Sequence, residues 1–196
     1  SIFPVLSAYY VFVKPMMRAL LTICCFSIFM FGQAQVVINE VCPANADVNF
    51  DSEFFNFSPW VELHNAGSSS VQVGGYFLSD DQTNPTKWKI PAGVSIPAKG
   101  YLLIWCDDRN TGLHTSFSLD SDGERVVLTS PTNQLVDQIE FPKQHTNVSY
   151  GRITDGGATW SYLSTPSPAS KNESPNGEVV LAVPIASIKS GRYAAS

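Results

Sequence analysis

Trp60-Val61-Glu62-Leu63-His64 decides the fold class. Val61 and Leu63 alternate with Trp60, Glu62 and His64, a two-residue period that lines one face of a strand with the aliphatic pair. Upstream, Val36-Val37-Ile38-Asn39-Glu40-Val41 alternates too, which predicts Val36, Ile38 and Glu40 on one face and Val37, Asn39 and Val41 on the other. Downstream, Tyr101-Leu102-Leu103-Ile104-Trp105 is apolar on both faces, as expected of a central strand. Phe117-Ser118-Leu119 and Val126-Val127-Leu128 flank Asp122-Gly123, a two-residue hairpin signal. A second turn near Thr132-Asn133-Gln134 leads into Leu135-Val136-Asp137-Gln138-Ile139-Glu140-Phe141.

No stretch after Gln35 holds a 3.6-residue period over three turns. Turn chemistry is dense between the apolar runs: Gly74-Gly75, Asn84-Pro85, Pro91-Ala92-Gly93, Pro97 and Gly100. Short strands without intervening helices predict an all-β sandwich or barrel. A body of about 135 residues is long enough for one core, and Trp60, Trp88, Trp105, Phe117 and Trp160 supply bulk for it.

The N-terminal end is a different material. The chain has 196 residues, 12 basic and 17 acidic, for a net charge of −5. Up to Gln35 the only charges are Lys14 and Arg18, so the remainder carries 10 basic and 17 acidic groups, a net −7. Met16-Met17-Arg18 precedes an uncharged run, Ala19 to Phe31, which ends in Gly32-Gln33-Ala34. A cationic start, a short apolar run and a small-x-small end have the layout of a secretory signal, with cleavage expected after Ala34. The run falls short of the ~20 residues a membrane-spanning helix needs. Residues 1–15 precede that signal without an initiating Met and are expected to be an over-extended gene model. The expected mature chain is secreted or at the cell surface and has no membrane span. Its acidity excludes nucleic acid as the expected partner, since phosphate binding requires a basic face.

Two cysteines, Cys24 and Cys25, leave with the signal. Cys42 and Cys106 remain, either as a disulfide suited to an oxidising compartment or as two small buried hydrophobes. At the other end, Thr165-Pro166-Ser167-Pro168-Ala169-Ser170-Lys171-Asn172 closes the domain, and 173–178 reads as a linker. Glu178-Val179-Val180-Leu181-Ala182-Val183-Pro184 restarts a strand, so 179–196 is expected to open a truncated second β module.

Several motifs resemble the lamin-tail domain as found in bacterial secreted proteins. These are Val37-Ile38-Asn39-Glu40-Val41, Trp60 to Asn65, Gly75 to Asp81, Lys87 to Pro91, Ile96 to Leu102, Gly112 to Leu119, Gly123-Glu124, Val148 to Arg152, Asp155-Gly156 and Thr165 to Ala169. The resemblance covers roughly residues 36–172. It implies an immunoglobulin-like β-sandwich and an accessory or interaction module rather than an enzyme. In bacteria such modules tend to sit beside extracellular nucleases, phosphatases or kinase-like domains. The chain departs from the pattern at Ser58-Pro59, where an acidic residue often precedes the Trp, and at His64, where Tyr is common.

Three functions follow as expectations: a secreted, non-catalytic module binding a protein or an extracellular polymer; the accessory domain of a hydrolase or kinase-like enzyme; or a calcium-dependent adhesion domain. Asp47, Asn49, Asp51 and Glu53 have the local spacing of a calcium loop, without the Gly and distal Glu of an EF-hand. Turns recruit the same residue types for their own backbone bonds, and the expected mature domain needs no cofactor. Phe50, Phe54, Phe55 and Phe57 crowd the same loop, either folded back over the end of the sandwich or forming a patch for a partner. His64, His114 and His145 lack metal-ligand spacing, and His114 is expected to cap a loop. No catalytic residue is expected: there is no Gly-x-Ser-x-Gly elbow and no phosphate loop.

Overall fold

The computed structural model describes residues 35–173, and the expected signal, residues 1–34, and second module, residues 179–196, lie outside them. The described residues form eleven strands and no helix. No helix among them is long and apolar enough to cross a membrane.

Strand β1 (Val36–Cys42) pairs with β2 (Trp60–Asn65), and β2 with β7 (Tyr101–Trp105). β10 (Ser149–Arg152) and β11 (Trp160–Leu163) complete a five-stranded antiparallel sheet in the order β11-β10-β1-β2-β7. β4 (Phe77–Ser79), β5 (Trp88–Lys89), β8 (Gly123–Thr129) and β9 (Leu135–Pro142) form the second sheet in the order β5-β4-β8-β9. A short ribbon joins β3 (Val71–Gln72) to β6 (Ser95–Ile96). Asn65, at the end of β2, ties this ribbon down by donating from Nδ2 to the carbonyls of Ile96 (3.1 Å) and Pro97 (2.9 Å).

One core lies between the two main sheets. Val36, Ile38, Val41, Val61, Leu63 and Ile104 enter it from the first, and Leu78, Trp88, Val126, Leu128 and Phe141 from the second. Two antiparallel sheets over a shared apolar interior make an immunoglobulin-like β-sandwich. Burial of those side chains contributes roughly 1.5–3 kcal/mol each.

The strand β2 alternates as its sequence predicts. β1 does not, because its pairing with β2 shifts between Ile38 and Glu40. Asn39 is the extra residue of a β-bulge, which returns Val41 to the core beside Val36 and Ile38 and turns Glu40 and Cys42 to the other face. β7 is an edge strand rather than a central one. Its outer apolar surface is covered by other means: Tyr101 packs on His64 at 4.8 Å, and the ring of Trp105 stacks over His114 at 6.4 Å. Asp122-Gly123 does not join two strands. Gly123 opens β8 opposite Pro142 with φ +111, a backbone setting that disfavours any side chain. The second predicted turn does form a hairpin: Asn133 adopts φ 58, and Ser130 N–H donates to the Gln134 carbonyl at 2.9 Å between β8 and β9.

The outer face of the five-stranded sheet is also buried, and it is polar. Glu40 and Glu62 stand directly opposite each other on β1 and β2, both fully buried. Residues 165–172 lie across them as a strap. Ser167 donates from its N–H (3.1 Å) and Oγ (2.9 Å) to Glu40, and Ala169 N–H donates to Glu62 at 2.6 Å. Asn172 donates from Nδ2 to the Arg152 carbonyl at 2.7 Å and the Asn39 carbonyl at 3.3 Å. Gly151 leaves room for this: a Cβ there would stand 3.0 Å from the Asn172 amide and 2.6 Å from Leu163. Arg152 closes the other end, donating to the Ile38 carbonyl (2.7 Å) and Asp137 (2.8 Å).

Cys42 and Cys106 are both buried free thiols, so the disulfide alternative does not hold in this structure. Cys42 faces outward beyond Glu40 and Cys106 sits in the core, separated by β2. Burial pushes both thiols up, Cys42 to about 12. The mature chain is therefore expected to show two thiols to a thiol reagent in denaturant and none while folded. Recovery of fewer than two after unfolding without reductant would contradict this arrangement.

Candidate functional site

The connection from β1 to β2, residues 43–59, carries most of the singled-out residues. Its base is stapled by Asn45, which donates to the Asn49 (2.7 Å) and Ser58 (2.9 Å) carbonyls while its Oδ1 accepts from the Val48 and Asn49 N–H groups at 3.1 Å. Asn147 Oδ1 accepts from Ala46 and Asp47 N–H. At the tip, Asp51 and Asn56 bridge their backbones, and Asp51 Oδ1 accepts from Glu53 N–H at 2.9 Å.

The four phenylalanines divide. Phe54 turns inward, with its ring edge-on to His114 at 4.7 Å and the Arg109 guanidinium 4.1 Å over its face. Phe50, Phe55 and Phe57 stay outside, 49%, 80% and 40% exposed. Phe50 holds them together, 6.4 Å from Phe55 and 5.3 Å from Phe57 in edge-to-face contacts. Phe55 sits at φ 58, a left-handed setting that costs a bulky aromatic on the order of 1–2 kcal/mol. That setting closes the Asp51–Asn56 turn and leaves the Phe55 ring outside.

The calcium spacing is not realised as a cluster. Asp51 is 2% exposed and its carboxylate lies against a second loop, residues 106–118. That loop is fixed by the Cys106 N–H to the Pro59 carbonyl (2.8 Å), by Thr115 N–H to the Trp105 carbonyl (2.8 Å), and by left-handed Asp108, Asn110 and Gly112. It delivers Asp107 and His114. Donor atoms of Asp51, Asp107 and His114 lie within 4.8 Å of one another, the one such His/Cys/Asp/Glu group among the described residues. His114 Nδ1 is 3.0 Å from Asp107 Oδ2, and its Nε2 is 3.5 Å from Glu53 Oε2. Asp107 Oδ2 also accepts from Arg109 Nε (2.9 Å) and Ser58 Oγ (3.3 Å). With its amide oriented by these neighbours, Asn56 accepts from Arg109 at 3.0 Å and donates to Asp51 Oδ2 at 3.3 Å.

His114 therefore does more than cap a loop: it joins the two loops. In the sequence Asp107-Asp108 reads as a pair of acids at a strand end, with nothing to place it beside Asp51, and Arg109 was not singled out. His64 lies on the polar face of β2 with Nδ1 unpartnered, held below the usual imidazole range chiefly by burial. His145 is exposed beside Tyr162. The three histidines thus occupy three separate places. Elsewhere, an open depression of about 420 Å³ between β8 and β9 is crossed by the Arg125–Glu140 ion pair.

No curated protein matches the chain. The family model of the Lamin Tail Domain matches residues 31–143, which run from β1 through β9 and include both loops of the aromatic site. β10, β11 and the strap follow the matched segment, yet β10 pairs directly with β1, so they complete the same sandwich. With more than half of its length matched and the sandwich topology in place, the chain belongs to the Lamin Tail Domain family, a non-enzymatic, immunoglobulin-like family of interaction modules.

Proposed function

We propose that this chain is the non-catalytic interaction module of a larger exported protein, and that it holds a protein or an extracellular polymer through Phe50, Phe55 and Phe57. The observation that carries this reading is the exposed aromatic trio on a stapled loop, with Phe55 held out at a backbone cost. Aromatic rings on a rigid support give large contact area for little ordering entropy. Exposed polar side chains accompany the trio: Glu53 lies in the same loop and Arg109 stacks on Phe54 at its base.

Export is supported by the layout of residues 16–34, and N-terminal sequencing of the exported protein is expected to begin at Gln35. The Pro/Ser-rich closing segment and the renewed apolar run after it support a following module, whose activity would be separate from this domain. The mature domain is acidic, which disfavours nucleic acid as its ligand.

The test is a triple variant, Phe50→Ser, Phe55→Ser and Phe57→Ser. Labelled wild-type chain is expected to bind the surface of the producing cells saturably. The variant is expected to bind at least about tenfold more weakly, since an aromatic anchor is worth about 2 kcal/mol or more, with an unchanged melting midpoint. Equal binding by the folded variant would remove the trio from the interface.

A further inference from the structure

We infer that Asp51, Asp107 and His114 form a site for one zinc-class divalent cation, set directly behind the aromatic face and independent of what that face binds. The three donors come from two loops and meet where those loops touch: Asp51 is 2% and His114 1% exposed, and the Asp107 side chain 7%. Arg109 now supplies the counter-charge to Asp107, and a divalent cation between the two carboxylates would take over that role. Ligands of a tetrahedral zinc stand about 3.4 Å apart, from metal–ligand lengths near 2.0–2.2 Å. Donors already within 4.8 Å of one another need to close by only about an ångström.

The donor chemistry selects the metal. Calcium and magnesium take six or more oxygens, whereas one imidazole with two carboxylates suits zinc or its transition-metal neighbours. The surroundings set the tautomer. His114 Nδ1 faces Asp107, and Nε2 faces Glu53 on the opposite edge of the ring. Metal entry at Nδ1 moves the imidazole proton to Nε2, where the Glu53 carboxylate accepts the N–H. Glu53 is then a positioning residue, as an outer-shell carboxylate commonly is for a ligating histidine.

Arg109 occupies the cation's electrostatic place in the empty cluster. Its Nε neutralises Asp107 at 2.9 Å, while the rest of the guanidinium rests on Phe54 and Asn56. It can therefore leave Asp107 and keep its other two supports. Phe54 also touches the His114 ring, so metal occupancy stiffens the base of the loop that carries the exposed phenylalanines.

The experiment titrates the tag-free, chelator-treated chain with zinc chloride by calorimetry, and with cobalt chloride by visible absorption. Expected are one equivalent of zinc with a micromolar or tighter dissociation constant, and the absorption band of tetrahedral cobalt. Asp51→Asn and Asp107→Asn are expected to weaken zinc at least tenfold and Glu53→Gln by a smaller factor. Arg109→Gln, on an exposed side chain, is expected to tighten zinc severalfold, an effect that a purely structural cluster would not give. Millimolar calcium is expected not to compete. Absence of one-to-one zinc binding in the micromolar range overturns the site, as does binding unaltered by Asp51→Asn and Arg109→Gln, or displacement by calcium.

Discussion

Raising the pH from about 5 to about 9 lowers the stability of this domain by roughly 2–4 kcal/mol, the reverse of what paired surface carboxylates produce. The cause is the Glu40–Glu62 pair. Burial pushes Glu62 up to about 8, and Glu40 is raised for the same reason, although Ser149 and Ser167 donate to it and pull the other way. In the unfolded chain both ionise near the ordinary value of 4.5. Folding therefore favours bound protons. The contribution is complete below 4.5 and is lost as the pH climbs through about 8. Each unit of difference corresponds to about 1.4 kcal/mol, so Glu62 alone has an upper bound near 5 kcal/mol, reduced by local relaxation and water entry.

His64 acts in the opposite sense. Its folded value lies below 6.5, so stability is lost as the pH falls below the unfolded value. Below pH 6.5 the histidine offsets part of the glutamate effect, and above it the glutamates act unopposed, so the steepest loss lies between pH 6.5 and about 8. Urea unfolding from pH 4.5 to 9 reads this directly. Glu62→Gln is expected to flatten the alkaline limb while lowering stability by a pH-independent amount, because a Gln amide cannot accept from both Asn39 and Ala169. An alkaline limb as steep in the variant as in the wild type would sink the assignment.

Replacing Asn172 with Ala is expected to cost about 3 kcal/mol and to lower the melting midpoint by about 10 °C. The side chain is 2% exposed and serves three partners: it donates to the Asn39 and Arg152 carbonyls and accepts from Asn39 Nδ2 (3.3 Å). Truncation removes the amide donor from two buried carbonyls and loosens the strap over the two glutamates. Lys171→Ala, next door and exposed, is expected to stay within about 0.5 kcal/mol of wild type. If the two variants melt alike, the strap does not close the sheet.

Local period carried much of the architecture. β2 alternates because Val61 and Leu63 must enter the core, and the Asn133 turn forms because Asn tolerates a left-handed backbone. The bulge at Asn39 was hidden, because it depends on where β2 pairs and not on the composition of β1. The edge position of β7 was hidden too. Its outer face is covered by His64 and His114, which come from elsewhere in the chain. Residues 165–172 have the composition of a linker, yet their hydroxyl, amide and backbone donors are what two buried carboxylates require. At the site, the crowding of phenylalanines was legible, but its division into Phe54 inside and three rings outside was not. That division follows from Arg109 and His114, which are more than fifty residues away in sequence and adjacent only in the fold.

The central claim is that the aromatic end of the sandwich meets the partner. A photo-reactive phenylalanine analogue in place of Phe55 tests it, with the same analogue at Leu135, an exposed apolar residue on β9 (58% exposed), as the control. Irradiation on the surface of the producing cells is expected to give a discrete covalent adduct from position 55 and none from position 135. An adduct from position 135 with none from position 55 would contradict the account.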